Sequence, residues 1–138
     1  MISYSVHDEP VPADALVVDT GLGDFNDAAV PLHEVRPLQA FARSASGELV
    51  GGAVGRTWGP ACELMQLWVR EDHRKHGVGT RLVREFERRA AERGCRTFYL
   101  ETLSFQAPDF YRSLGYTVCH EHRWLPHGVV KYLMVRED

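Results

Sequence analysis

Very little in this chain suits it to a membrane, to export or to a metal. No apolar run among its 138 residues approaches the length of a membrane span. No basic segment followed by an apolar stretch opens it, so no signal peptide is expected. Cysteine is scarce: Cys62, Cys95 and Cys119 have no C-x-x-C spacing, which argues against a disulfide framework or a zinc site and for reduced thiols in a cytoplasmic protein. Positive charge is missing from the first 35 residues, which hold seven acids (Asp8, Glu9, Asp14, Asp19, Asp24, Asp27, Glu34), while all 16 Lys and Arg come later. A basic stripe with interleaved aromatics is also missing, so nucleic acid is not an expected partner.

What is present is an ordinary globular composition, 44% hydrophobic and 25% charged. The length fits one domain over 1–138 with room for a sizeable core. Ile2–His7 alternates weakly and reads as a first strand. Asp14–Asn26 has helical apolar spacing at Leu16, Val17, Leu22 and Phe25, with Gly21 and Gly23 expected to weaken or break it. Leu38–Arg43 and Leu49–Arg56 read as strands around a Ser46-Gly47 turn, and Glu63–Val69 as the next strand. Thr80–Arg93 is the clearest helix: Leu82, Val83, Phe86 and Ala90 form a stripe, Glu85 and Arg89 can pair, and Gly94 stops it. Thr97–Thr102 is a strand, Pro108–Leu114 a short helix capped by Gly115, and Tyr116–Trp124 and Val129–Val135 are the last strands. The expected class is mixed α/β, a mostly antiparallel sheet of six to seven strands, with a parallel pair around the Thr80–Arg93 helix because a strand–helix–strand unit needs a crossover.

Chemistry concentrates in Arg74-Lys75-His76-Gly77-Val78-Gly79, between an apolar strand and the clearest helix. Glycines let backbone approach a ligand closely, and the free amides and positive dipole end of a helix favour phosphate. A P-loop would need Lys and Ser or Thr after its last glycine, but Thr80-Arg81 follow Gly79. A dinucleotide fingerprint would need a third glycine where Leu82 stands. The remaining pattern, R-x-x-G-x-G, resembles the coenzyme A motif of the GNAT superfamily of N-acetyltransferases. Phe110-Tyr111-Arg112-Ser113-Leu114-Gly115-Tyr116 resembles the same family's F-Y-x-x-x-G-[FY] segment, at the expected distance. The likeness is close from about Leu49 onward.

That resemblance implies a single GNAT-like domain, helices on both faces of the sheet and two central parallel strands that splay to admit acetyl-coenzyme A. The cofactor's pantetheine arm would pair with backbone at Leu67 and Val69, beside Trp68, by strand addition. Its pyrophosphate would sit on the amides of Lys75, His76, Gly77, Val78, Gly79 and Thr80, with Arg74 as a charge partner. Tyr111 stands where the family has a tyrosine that hydrogen-bonds or protonates the departing sulfur. Glu63 lies on the strand where some members carry a catalytic glutamate, and Glu101 or a water chain competes for the role of base. Many members have an asparagine where this chain has Ser104, so Ser104 or Gln106 would supply that polar contact.

His120 and His122 share a strand face at metal-ligand spacing but lack a third ligand beyond His127, so no metal is expected. The acidic N-terminal third favours a small cationic amine as acceptor, and the resemblance implies that this amine, once neutral, attacks the thioester directly in a ternary complex. The other readings are a non-catalytic acyl-coenzyme A-binding regulatory module and an acyltransferase acting on a protein amine. Family members often dimerise, with pairing of the C-terminal strands as one route to a homodimer.

Overall fold

Alternating burial along several strands sets the frame. The computed structural model describes all 138 residues, in two compact units, Met1–Glu34 and Val35–Asp138. The second unit carries strands β1 (Arg36–Arg43), β2 (Leu49–Trp58), β3 (Ala61–Val69), β4 (Thr97–Leu103), β5 (Thr117–His122) and β6 (Lys131–Glu137). They form one sheet in the order β1-β2-β3-β4-β6-β5. All pairs are antiparallel except β3–β4, which is parallel. The mixed, mostly antiparallel sheet with one parallel pair is the fold class expected from the pattern.

Two helices of this unit, α2 (Val78–Glu92) and α3 (Pro108–Ser113), pack into the core over one sheet face. Leu38 and Ala53 with Cys62 and Leu64 face it from β1 to β3, and Phe98, Leu100 and Met134 from β4 and β6. Helix α2 presents Leu82, Val83, Phe86 and Ala90, the stripe read from the sequence. Burying a side chain such as Phe86 contributes about 1.5–3 kcal/mol. The solvent face of α2 holds Arg88 between Glu85 (2.7 Å) and Glu92 (2.9 Å). Arg89 pairs with Glu92 at 2.7 Å, not with Glu85 as the spacing suggested.

A buried charge links α2 to the far end of the chain. Glu87 on α2 is 4% exposed, yet its Oε2 accepts from the Tyr116 hydroxyl and from the Arg136 guanidinium, each at 2.7 Å. Arg136 also lies over the Phe98 ring, 4.5 Å from its centroid. A buried carboxylate survives only with such partners. The network ties α2 to the chain just after α3 and to the last strand.

A bulge between β2 and β3 redirects the second of these strands. Val54 pairs with Gln66 and Gly55 with Leu64, leaving Met65 as the extra residue. Backbone approach is so close there that a Cβ on Gly55 would collide with the Glu63 carbonyl oxygen.

The first unit consists of α1 (Pro12–Ala29) and a 3₁₀ turn over Leu32–Glu34. Pro12 sits in the first turn, where its missing N–H costs nothing. The helix runs through Gly21 and Gly23, and no atom crowds either residue. Each glycine costs about 1 kcal/mol of helix propensity, which a helix past its nucleation step tolerates. Ile2–His7 forms no strand: it pairs with no ladder, and a lone strand has no partner for its amides.

Candidate active site

The parallel pair β3–β4 is joined only from Ala61–Thr97 to Leu64–Leu100. Strand β4 then continues against β6 as far as Leu103–Lys131, while β3 bends away at the Met65 bulge. The strands therefore part, and a cleft of about 690 Å³ opens between them. Leu67, Trp68 and Val69 line one wall, Glu101 and Thr102 the other, and Gln106, Ala107 and Tyr111 its end.

Backbone groups on the β3 wall are unpaired. The Arg70 N–H donates to Val50 on β2 at 2.8 Å. By strand alternation Leu67 and Val69 aim their N–H and C=O groups the other way, into the cleft. An extended chain bearing amides can add there as a strand. One of these groups is already occupied: Arg74 Nε donates to the Val69 carbonyl at 2.8 Å. Arg74 thus braces the end of β3 while lining the cleft.

At the α2 end the cleft continues into a second cavity of about 500 Å³, lined by Arg74, Lys75, Gly77, Gly79, Thr80 and Phe110 among others. The chain turns into α2 through Lys75 (φ 64°) and Gly77 (φ 82°), both left-handed. This turn aims successive amides at one point. The first bond inside the helix is Arg81 N–H to Gly77 C=O, so the amides of Val78, Gly79 and Thr80 have no helical acceptor. No side chain caps them. With Lys75 and Arg74 beside them, these free amides form a donor set that fits a pyrophosphate.

Tyr111 is 7% exposed and lies in the core, with ring neighbours Phe110 and Tyr116 at centroid distances of 5.2 and 5.9 Å. Its side chain reaches the cleft. Burial pushes the phenol up to about 12, so it is protonated throughout the neutral range.

The structure separates the two candidate bases. Glu63 is bound to Arg56 at 2.9 Å and does not line the cleft, whereas Glu101 does. The side chain of Glu101 is half-exposed and meets Lys131 Nζ at 3.1 Å.

The two candidate polar contacts also part company. Gln106 lines the cleft, and its Oε1 accepts from the Leu103 N–H at 2.7 Å, closing the loop before α3. Ser104 turns away and clasps the approach to β6: its N–H donates to Val130 C=O at 2.7 Å and its hydroxyl accepts from Val130 N–H at 3.0 Å. His76 and Val78 border another hollow of about 490 Å³, beside Ala40–Arg43 and Arg81.

Residues unmarked in the sequence also enter the site. Gln66 and Thr102 carry no motif and arrive through strand geometry alone. Lys131 stands outside the cleft lining and reaches it only through its pair with Glu101; it did leave a signal, since only it and Lys75 are lysines among 16 basic residues. His120 and His122 stack edge to face at 4.5 Å, with Trp124 beyond at 4.4 Å. No group of three His, Cys, Asp or Glu stands close enough to hold a metal.

Comparison with known proteins agrees with this geometry. The model of the acetyltransferase (GNAT) family matches residues 8–116. A blasticidin-S acetyltransferase of Streptomyces morookaense is 39% identical over 111 residues, 78% of this chain and 82% of that one. The crystal structure of an Agrobacterium tumefaciens protein described as an acetyltransferase superposes with a TM-score of 0.90, at 23% identity, over 99% of this chain and 100% of its own. A Bacillus anthracis protein described as a streptothricin acetyltransferase, solved in complex with acetyl coenzyme A, gives 0.67 at 19% identity, over 75% of this chain and 63% of that one. The chain belongs to the GNAT family of acetyltransferases, enzymes whose acetyl donor is acetyl-coenzyme A.

Proposed function

We propose that residues 1–138 act as one N-acetyltransferase domain that acetylates a primary amine of a small cationic molecule, by direct attack in a ternary complex. One observation carries this reading. A single cleft that continues into the α2 turn brings free strand amides and an anion-binding turn together with a phenol and a carboxylate. Acetyl-coenzyme A supplies a thioester there. The amides from Gly77 to Thr80 hold its diphosphate, Leu67 and Val69 align its amide-bearing arm, and Gln106 borders that arm.

Tyr111 serves best as a hydrogen-bond donor to the departing sulfur. A thiol ionises near 8.5, so full transfer from a phenol raised to about 12 would be uphill by about 5 kcal/mol. Donation without transfer has no such cost, and a hydrogen bond to a charged acceptor is worth about 1.5–3 kcal/mol. The incoming ammonium must lose a proton before it attacks, and Glu101 is the carboxylate in place to take it. Glu63, bound to Arg56 outside the cleft, is the poorer candidate.

Direct transfer is supported by the absence of a competent thiol. No cysteine lines the cleft, and burial pushes the Cys62 thiol up to about 12. A small-molecule acceptor is supported by the activity for which the blasticidin-S relative is named. A cationic one is supported by Glu101 and by the acid-only N-terminal stretch. The test is thiol release from acetyl-coenzyme A against a panel of amines that includes blasticidin S, polyamines and acidic amino acids. Intersecting initial-rate lines and a preference for cationic amines are expected. Parallel lines would contradict direct attack, and equal rates with acidic amines would contradict the charge argument.

A further inference from the structure

The pair Glu101–Lys131 has the arrangement of a base with its nucleophile. A primary amine, Lys131 Nζ, lies 3.1 Å from Oε2 of the carboxylate that lines the acetyl-transfer cleft. That is the contact by which a nucleophile hands its proton to a base. The backbone behind Lys131 is fixed on both sides. It pairs with Leu103 in the β4–β6 ladder, and its neighbour Val130 is clasped at both N–H and C=O by Ser104. The ion pair itself is loose, with both side chains about two-fifths exposed (41% and 44%). Pairs of that exposure hold their partners only weakly, so the amine can leave the carboxylate readily. Fourteen of the chain's sixteen basic residues are arginines, which do not act as amine nucleophiles, and the only other lysine, Lys75, belongs to the phosphate turn.

We propose that Lys131 is itself an acetyl acceptor, modified in its own cleft when no small amine is present. This rests on the reading of the cleft as the acetyl-coenzyme A site. The reaction balances without another reagent. One ammonium proton passes to Glu101 and on to solvent. The nitrogen then forms a C–N bond to the acetyl carbon and the C–S bond breaks. A second proton ends on the sulfur, giving free coenzyme A and an N-acetylated lysine that keeps the third. Tethering the amine beside the cleft, on the carboxylate that lines it, replaces a bimolecular encounter by an intramolecular one. The product is a stable amide without charge, so modification also dissolves the pair with Glu101 and leaves that carboxylate free.

The test is intact-mass and peptide mass spectrometry of the whole chain after incubation with acetyl-coenzyme A alone. Expected is one acetyl group on Lys131, added at a rate constant independent of protein concentration. The Glu101→Gln variant should slow it about 10²-fold, and Lys131→Arg should abolish it. Acetyl on Lys75 or the N-terminus alone would overturn the proposal, as would equal modification of Lys131 in urea-unfolded protein. Lys131 left unmodified in the amine-free incubation, in protein that turns over an external amine when one is added, would overturn this inference and leave the proposed function standing. Loss of cofactor binding, read separately by calorimetry, would overturn both.

Discussion

Replacing Tyr111 by phenylalanine removes one oxygen from the centre of the proposed chemistry. The ring is packed in the core between Phe110 and Tyr116, and phenylalanine fills the same space. Tyr111 lines the cleft and its hydroxyl bonds to no other residue of the protein, so stability should move by no more than about 0.5 kcal/mol. What is lost is a hydrogen bond to a sulfur that gains charge only as the C–S bond breaks. At about 1.5–3 kcal/mol for a charged acceptor, and about 1.4 kcal/mol per tenfold, kcat should fall by about 10- to 150-fold. Affinity for acetyl-coenzyme A should be unchanged, because the interaction is absent from the ground state. Because burial holds the phenol near 12, the wild-type rate should show no loss attributable to this group between pH 7 and 10. The assay is steady-state thiol release with the best amine, beside calorimetric titration of the cofactor. A drop in kcat of less than threefold, or a parallel loss of cofactor affinity, would refute the assignment.

Other consequences bear on the scaffold. Gly55→Ala forces a Cβ against the Glu63 carbonyl oxygen and the Phe86 ring, so it should cost about 3 kcal/mol or more in urea denaturation and disturb the bulge that opens the cleft. Arg136→Met leaves buried Glu87 with only Arg84 as a charge partner, and a loss of about 3 kcal/mol is expected by the same measurement. Alkaline pH should destabilise the fold. Folding raises Cys62 and Tyr111 each to about 12, so their contribution is intact below the unfolded values near 9 and 10 and is lost as pH climbs toward 12. Denaturation at pH 8 and pH 11 should differ by several kcal/mol, and equal stabilities would contradict the burial of these groups.

Much of this site was legible because its parts are local. A glycine turn before a helix, and the stripe Leu82, Val83, Phe86, Ala90, depend on short-range geometry that a sequence displays directly. The position of Tyr111 followed from a motif on the next helix. What the sequence could not show was the partner of each polar side chain. Glu63 and Glu101 both alternate onto strand positions, and only the register Arg56–Glu63 reveals that one is neutralised outside the cleft. Ser104 stood where a cofactor contact was expected, yet its bonds run to Val130, 26 residues away. Met65 looked like one more strand residue, and its role as the bulge emerges only from pairing on both sides. The continuation of α1 through two glycines was likewise hidden, since propensity weakens a helix without fixing its end.

The most direct measurement tracks the backbone amides of the whole chain by ¹⁵N NMR as acetyl-coenzyme A is added. The largest shifts are expected at Leu67 and Val69 on the splayed strand, at the free amides of Val78, Gly79 and Thr80, and at Gly77 in the turn before them. Shifts confined to the hollow beside Ala40–Arg43 and Glu85, with Leu67 and Val69 unmoved, would contradict a cofactor site between β3 and β4.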